Sequence, residues 1–232
     1  MHIIALVCQK GGAGKTTMAV HLAVEGQRRG YKTLLLDIDP QASAAKIMDR
    51  REDEPPDVAT EAAARIERAV KAAAGHGYEL IIVDTAPQAD RAAAQAAKIA
   101  DLVVAPVQPS IVDLDAVDAT IDVCKLAGAP VLFVLNRVPT RGREIEGTEA
   151  AIRKRGMRVS AARWGERKAF KYPLMRGLVA QEVEPDSLAA SEVAALFDDL
   201  GIGTGTHVRR SEGATSRQSA GAPVSMHAGT KV

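Results

Sequence analysis

The chain has 232 residues, of which 47% are hydrophobic and 25% charged, with a formal net charge of +1. These values fit a soluble globular domain long enough to bury a sizeable core, and they argue against a fibrous chain or one disordered throughout. Aromatics reach only 3%, so the core must be aliphatic and alanine-rich. The two cysteines, Cys8 and Cys124, lie far apart and form no CxxC pair. They suggest neither a disulfide framework nor a metal centre.

In chain order, the opening "MHIIALVCQ" carries no charged leader, and no apolar run approaches the roughly 20 residues of a membrane span. Both features predict a cytoplasmic protein. Residues 3–7 (IIALV) read as a strand, followed by a glycine loop and a helix over 15–29. Cys8, at the end of the apolar run, reads as a small buried hydrophobe. Further strands are expected at 33–38 (TLLLDI), 79–85 (ELIIVDT), 102–107 (LVVAPV) and 131–136 (VLFVLN), with a weaker candidate at 158–164 (RVSAARW). Helical patterns fall at about 60–75, 89–98, 112–127 and about 144–155. A last helix lies in "DSLAASEVAALFDDLG", with Asp186 or Ser187 as its cap and Gly201 just past its end. The strand segments are continuously apolar, as strands covered on both faces must be. Strands alternating with helices predict an α/β fold: a mostly parallel central sheet with helices on both faces. Residues 1–203 are expected to form one such domain. Residues 204–232, rich in Gly, Ser, Thr and Ala without periodicity, read as a disordered tail.

The stretch "CQKGGAGKTT" lies between the first strand and its helix, the context in which a glycine-rich loop cradles phosphate. Gly11, Gly12, Ala13 and Gly14 let the backbone approach a phosphate and turn its N–H groups inward. The helix N-terminus adds partial positive charge and Lys15 a full one. The Thr16 hydroxyl suits Mg²⁺, and Thr17 can reach the α-phosphate. The frame is a shortened G-x-x-x-x-G-K-[ST], and Lys10 is a second lysine that one phosphate site does not require. Asp37 and Asp39, in "LLLDIDPQAS", and Asp84, in "LIIVDTAP", stand at strand ends, where a carboxylate can hold Mg²⁺ directly or through water. Each acid could instead be a helix cap or a turn former.

"KGGAGKTT", "DIDPQAS" and "IIVDTAP" together resemble the deviant Walker A, Walker A′ and Walker B motifs of the ParA/MinD ATPases, in matching order and spacing. The similarity runs from residue 1 to about 200. The glutamine of "DPQ" and the pattern in "RGLVAQEVEPDSLAASEVAAL" favour ParA, in its short plasmid type with no helix-turn-helix before the first strand. The resemblance implies a P-loop NTPase using ATP and Mg²⁺. It implies that Lys10 reaches the ATP of the other subunit in a homodimer and that Asp39 positions the attacking water. Asp84 would be the Walker B acid, with Thr16 and Asp37 beside it at the metal. Asn136 would meet adenine through its amide, although an Asn ending a strand could equally cap a loop. Turnover would be slow and stimulated by a centromere-binding partner of the ParB or ParG kind. The ATP-bound dimer would hold non-specific DNA, placing the protein on the nucleoid.

Between Arg137 and Arg176 twelve basic residues face four acids, an excess of eight in a chain whose total is +1. Such an excess attracts phosphate backbones without reading sequence, although it could also be a solvated face. Some relatives carry a basic residue just after the serine of the "P.S" stretch; here Leu188 and Ala189 follow Ser187. Arg163, Arg167 and Lys168 are the expected DNA contacts. A MinD-like membrane switch would need a C-terminal amphipathic helix, and the tail shows no apolar stripe. A positioner of another cargo, such as carboxysomes or chemoreceptors, would share the same chemistry and differ only in its partner. A small-molecule kinase would have no use for Lys10.

Overall fold

The computed structural model describes residues 1–51, 54–87, 90–110, 114–142 and 144–202. The expected tail at 204–232, the first residues of the helices expected from 89 and 112, and Arg143 lie outside the described residues.

Seven strands form one sheet: β1 (His2–Leu6), β2 (Thr33–Asp37), β3 (Asp57–Thr60), β4 (Leu80–Asp84), β5 (Leu102–Val107), β6 (Val131–Leu135) and β7 (Arg158–Val159). Their order is β3-β2-β4-β1-β5-β6-β7, and every pairing is parallel. The helices are α1 (Lys15–Arg28), α2 (Ser43–Met48), α3 (Ile66–Gly75), α4 (Asp90–Ile99), α5 (Leu114–Ala127), α6 (Glu144–Lys154), α7 (Ala180–Val183) and α8 (Leu188–Asp199).

Successive strand residues feed two different cores, which explains their continuous apolarity. Ile4, Leu6, Leu35, Ile82 and Val134 pack with α1, α2, α8 and Trp164 on one face. Ile3, Ala5, Leu36, Val83 and Phe133 pack with α3, α4, α5 and α6 on the other. Helix α1 is buried continuously from Met18 to Gly26, because α8 covers the side that the sheet does not. Gly26 permits this close seating: a Cβ there would stand 2.5 Å from Leu80 Cδ2 and 2.9 Å from Thr33 Oγ1. The last helix is capped by Ser187, whose side chain accepts from Ala190 N at 3.2 Å, and Gly201 follows its end at φ +68°.

Besides the short helices α2 and α7, which the sequence pattern does not predict, three elements depart from the sequence expectation. Strand β3 is polar and half-exposed, pairing on the sheet edge with β2 alone, so it lacks the apolar signature of its neighbours. The helix expected from about residue 60 begins only at Ile66, after β3 and a single 3-10 turn at Ala63–Arg65. Strand β7 ends at Val159 rather than running to Trp164. There Asp199 Oδ2 accepts from Ser160 Oγ (2.5 Å) and Ala161 N (2.9 Å), drawing the backbone off the ladder.

Candidate functional site

The ends of β1, β4 and β2 lie side by side. Leu6 pairs with Asp84, and Asp84 with Asp37, in one register. Ligands of open parallel sheets bind beyond such carboxyl ends. The loop leaving β1 enters α1 through Gly14, at φ +102° and ψ 19°, with no side-chain cap. The first N–H groups of α1 therefore have no side-chain acceptor among the described residues and suit an anion.

Lys15 is buried, and its Nζ donates to Cys8 O at 3.2 Å. Burial lowers its pKa, opposed by Cys8, Asp84 and Asp39. Lys10, in contrast, is partly exposed where the loop leaves β1. Gly11 and Gly12 are exposed, Ala13 is buried, and Thr16 and Thr17 are partly exposed in the first turn of α1.

The acids differ sharply in environment. Asp84 is fully buried, and among the described residues neither carboxylate oxygen makes a hydrogen bond of regular geometry. Its pKa is pushed up to about 7, mainly by burial; the nearby Thr16 hydroxyl and Lys15 oppose the rise, while Asp37 and Asp39 add to it. Asp37 is equally buried but engaged. Oδ1 accepts from Asp39 N (3.0 Å) and Oδ2 from Ala45 N (3.1 Å), which ties the loop after β2 to α2. Burial raises its pKa and those backbone donors counteract the rise. Asp39 is partly exposed and accepts from Gln41 N at 2.9 Å through Oδ1. An orphaned buried carboxylate beside a threonine hydroxyl fits a hard cation. Among the described residues no group of three or more Asp, Glu, His or Cys surrounds a single point.

Asn136 is buried against the loop. Its Nδ2 donates to Ala13 O at 2.6 Å and its Oδ1 accepts from Arg137 N at 2.9 Å. A Cβ on Gly14 would stand 2.2 Å from Asn136 Nδ2, so this residue braces the loop backbone. Gln108 was not anticipated; it follows β5 and its Nε2 donates to Gly12 O at 3.2 Å. The available signal was its position, a polar residue directly after a strand on the carboxyl edge. Gly14, Thr17, Asn136, Arg137 and Arg167 also line one small recess beside the loop.

The three expected DNA contacts are not alike. Arg163 pairs with Glu149 at 2.8 Å, and Arg167 makes a two-pronged pair with Glu192, Nη2 to Oε1 being 2.6 Å. Glu192 also accepts from Gly165 N at 3.0 Å, so Arg167 is built into the local structure. Lys168 is exposed, with Nζ 5.8 Å from the centre of the Tyr172 ring. Arg155 is paired with Asp118, so ion pairs offset part of the basic excess. Among the described residues no helix is long and apolar enough to cross a membrane.

The chain is similar in sequence and fold to several known proteins. The family model for the CobQ/CobB/MinD/ParA nucleotide binding domain matches residues 4–195. The maintenance of carboxysome distribution protein A of Gloeobacter kilaueensis is 33% identical over 181 residues, covering 76% of this chain and 82% of that protein. Protein ParA of Rhizobium radiobacter is 27% identical over 186 residues, covering 73% and 81%. Among solved structures, the cell division ATPase MinD of Pyrococcus furiosus superposes with a TM-score of 0.70 at 22% identity, covering 86% of this chain and 98% of that one.

Proposed function

Because the chain belongs to the CobQ/CobB/MinD/ParA nucleotide-binding family, we propose that it is a Mg²⁺-dependent ATP hydrolase that cycles between a monomer and an ATP-closed homodimer to segregate DNA. The dimer binds DNA non-specifically, and a centromere-binding partner of the ParB or ParG kind stimulates hydrolysis and release. The observation that carries the reading is the meeting of a glycine loop, a buried lysine and an orphaned buried aspartate at one strand-end register.

In this reading Gly11, Gly12, Ala13, Gly14, Lys15 and Thr17 bind the phosphates. Thr16 and Asp84 hold the metal, and Asp37 supports it while anchoring the loop. Mg²⁺ would supply neutralisation of the charge on the β- and γ-phosphates. Asp39, close to the backbone turn that Asp37 fixes, orients the attacking water. Lys10 reaches the γ-phosphate held by the second subunit. Asn136 keeps the loop open to phosphate and, with Arg137 and Arg167, borders the nucleoside side. Catalysis by position and charge alone, with no strong general base, gives slow turnover. Among the expected DNA contacts Lys168 is the best placed, because Arg163 and Arg167 would first have to leave their carboxylates. The protein would act in the cytoplasm, on the nucleoid.

Fluorescence anisotropy with a labelled duplex tests this directly. Binding should require a non-hydrolysable ATP analogue, disappear with ADP and weaken steeply with salt. Equal binding in both nucleotide states would refute the switch. The similarity to the carboxysome distribution protein favours a second reading, in which the same cycle positions a different cargo. Pull-down with the products of neighbouring genes separates the two.

A further inference from the structure

Six large hydrophobic side chains are exposed among the described residues, and four of them, Tyr172, Met175, Val183 and Leu188, fall within one 17-residue stretch. Three of these four have exposures of 60% or more: Tyr172 (60%), Met175 (73%) and Leu188 (67%). Clustered exposure of this kind marks interaction surfaces, whereas scattered exposure does not. The stretch borders a groove of about 390 Å³ whose lining includes Lys168, Tyr172, Pro173, Arg176, Val183 and Glu184. A volume of that size falls in the range that encloses a small ligand or a few side chains.

The charges around the groove point one way. Lys168 and Arg176 line it, are exposed and have no carboxylate partner among the described residues, and Glu184 is the one acid in that lining. Arg50 adds another cation at the same segment, donating from Nη1 to Leu174 O at 3.1 Å. An apolar floor under a cationic rim complements apolar anchors flanked by carboxylates. Duplex DNA offers phosphates but no use for the apolar floor.

The wall of the groove is also wired to the nucleotide site. Ala180 N donates to His21 Nε2 at 3.3 Å, and His21 Nδ1 lies 2.8 Å from Thr17 O in the first turn of α1. Gln181 Nε2 donates to His21 O at 2.9 Å. On the other side Arg51, at the end of the segment that follows Asp39, holds Glu182 at 2.7 and 2.9 Å and Gly177 O at 2.8 Å. Helix α7 therefore joins the phosphate loop helix to the chain leaving the β2 acids.

We propose that this groove docks an acidic linear segment of a partner protein, with one or two apolar side chains seated between Tyr172, Pro173 and Val183 and its carboxylates on Lys168 and Arg176. Occupancy of a site fastened to both His21 and Arg51 gives a partner a mechanical route to the nucleotide.

Selection from a peptide display library tests the proposal, using the full chain with ADP. The Lys168→Glu/Arg176→Glu double variant serves as counter-selection. Enriched peptides should share Asp or Glu around Leu, Met or Phe. A synthetic copy should bind the wild type and lose at least tenfold in affinity to the double variant. A like loss is expected with Val183→Arg, which fills the groove while keeping both cations. Unchanged melting temperatures would show that both variants fold. No enrichment, a basic or uncharged consensus, or equal binding to the variants would overturn the proposal. So would loss of duplex DNA binding in the double variant with peptide binding intact, which would assign the surface to DNA. Peptide binding is read without ATP, so failure of the ATPase reading would leave it unchanged.

Discussion

Replacing Gly14 by Ala tests how the proposed phosphate loop is held open. Gly14 sits at φ +102°, and its missing Cβ leaves room for Asn136 Nδ2, which would otherwise be 2.2 Å away. Two costs follow. Holding an L-residue in a left-handed conformation costs roughly 1–2 kcal/mol. Displacing the Asn136 amide breaks its 2.6 Å bond to Ala13 O, and leaving that buried pair unsatisfied costs about 1–3 kcal/mol more. Gly14→Ala should therefore lose about 2–5 kcal/mol. In an Asn136→Ala background the clash and the bond are already gone, so only the conformational cost of about 1–2 kcal/mol should remain. A urea double-mutant cycle on nucleotide-free protein measures the coupling. It should be about 1–3 kcal/mol, with the double variant more stable than the sum of the singles predicts. Additivity to within ~0.5 kcal/mol would refute the idea that Asn136 braces the loop.

Lys10→Ala should leave ATP binding by one subunit largely intact and abolish nucleotide-dependent dimerisation, read by light scattering; normal dimerisation would make Lys10 an ordinary surface lysine. His21 is fully buried between Thr17 O and Ala180 N, and burial lowers its pKa from 6.5 to about 4. Between those values the unfolded chain binds more protons, so stability should fall as pH drops through that window, by up to about 3 kcal/mol. His21→Gln should flatten this acid limb in urea titrations at several pH values, and an unchanged limb would assign it to other groups. Arg51→Ala removes the partner of Glu182 and the donor to Gly177 O. Loss of one member of such a largely buried pair should cost about 3 kcal/mol in chemical denaturation, and a change below ~0.5 kcal/mol would show that the pair is idle.

The sequence by itself determined the parallel sheet, because strands feeding two cores must be apolar at every position. It also picked out Gly11–Thr17 as a candidate phosphate loop, since these residues are contiguous and their chemistry depends on local backbone freedom and a helix start. Asp37, Asp39 and Asp84 were legible for the same reason, each following an apolar strand. Strand β3 was not, because an edge strand with exposed Asp57 and Thr60 has no hydrophobic pattern to read. Only the tertiary structure brought Asp37 and Asp84 into one register and left Asp84 without a hydrogen bond of regular geometry among the described residues while Asp37 was engaged. Long-range contacts likewise decided that Asn136 lies on Gly14, 122 positions away in the chain, that Gln108 reaches Gly12, and that Arg163 and Arg167 meet Glu149 and Glu192. Residue type and spacing specify what a side chain can do; which partner satisfies or leaves it unsatisfied depends on elements that meet only when the sheet closes over its helices.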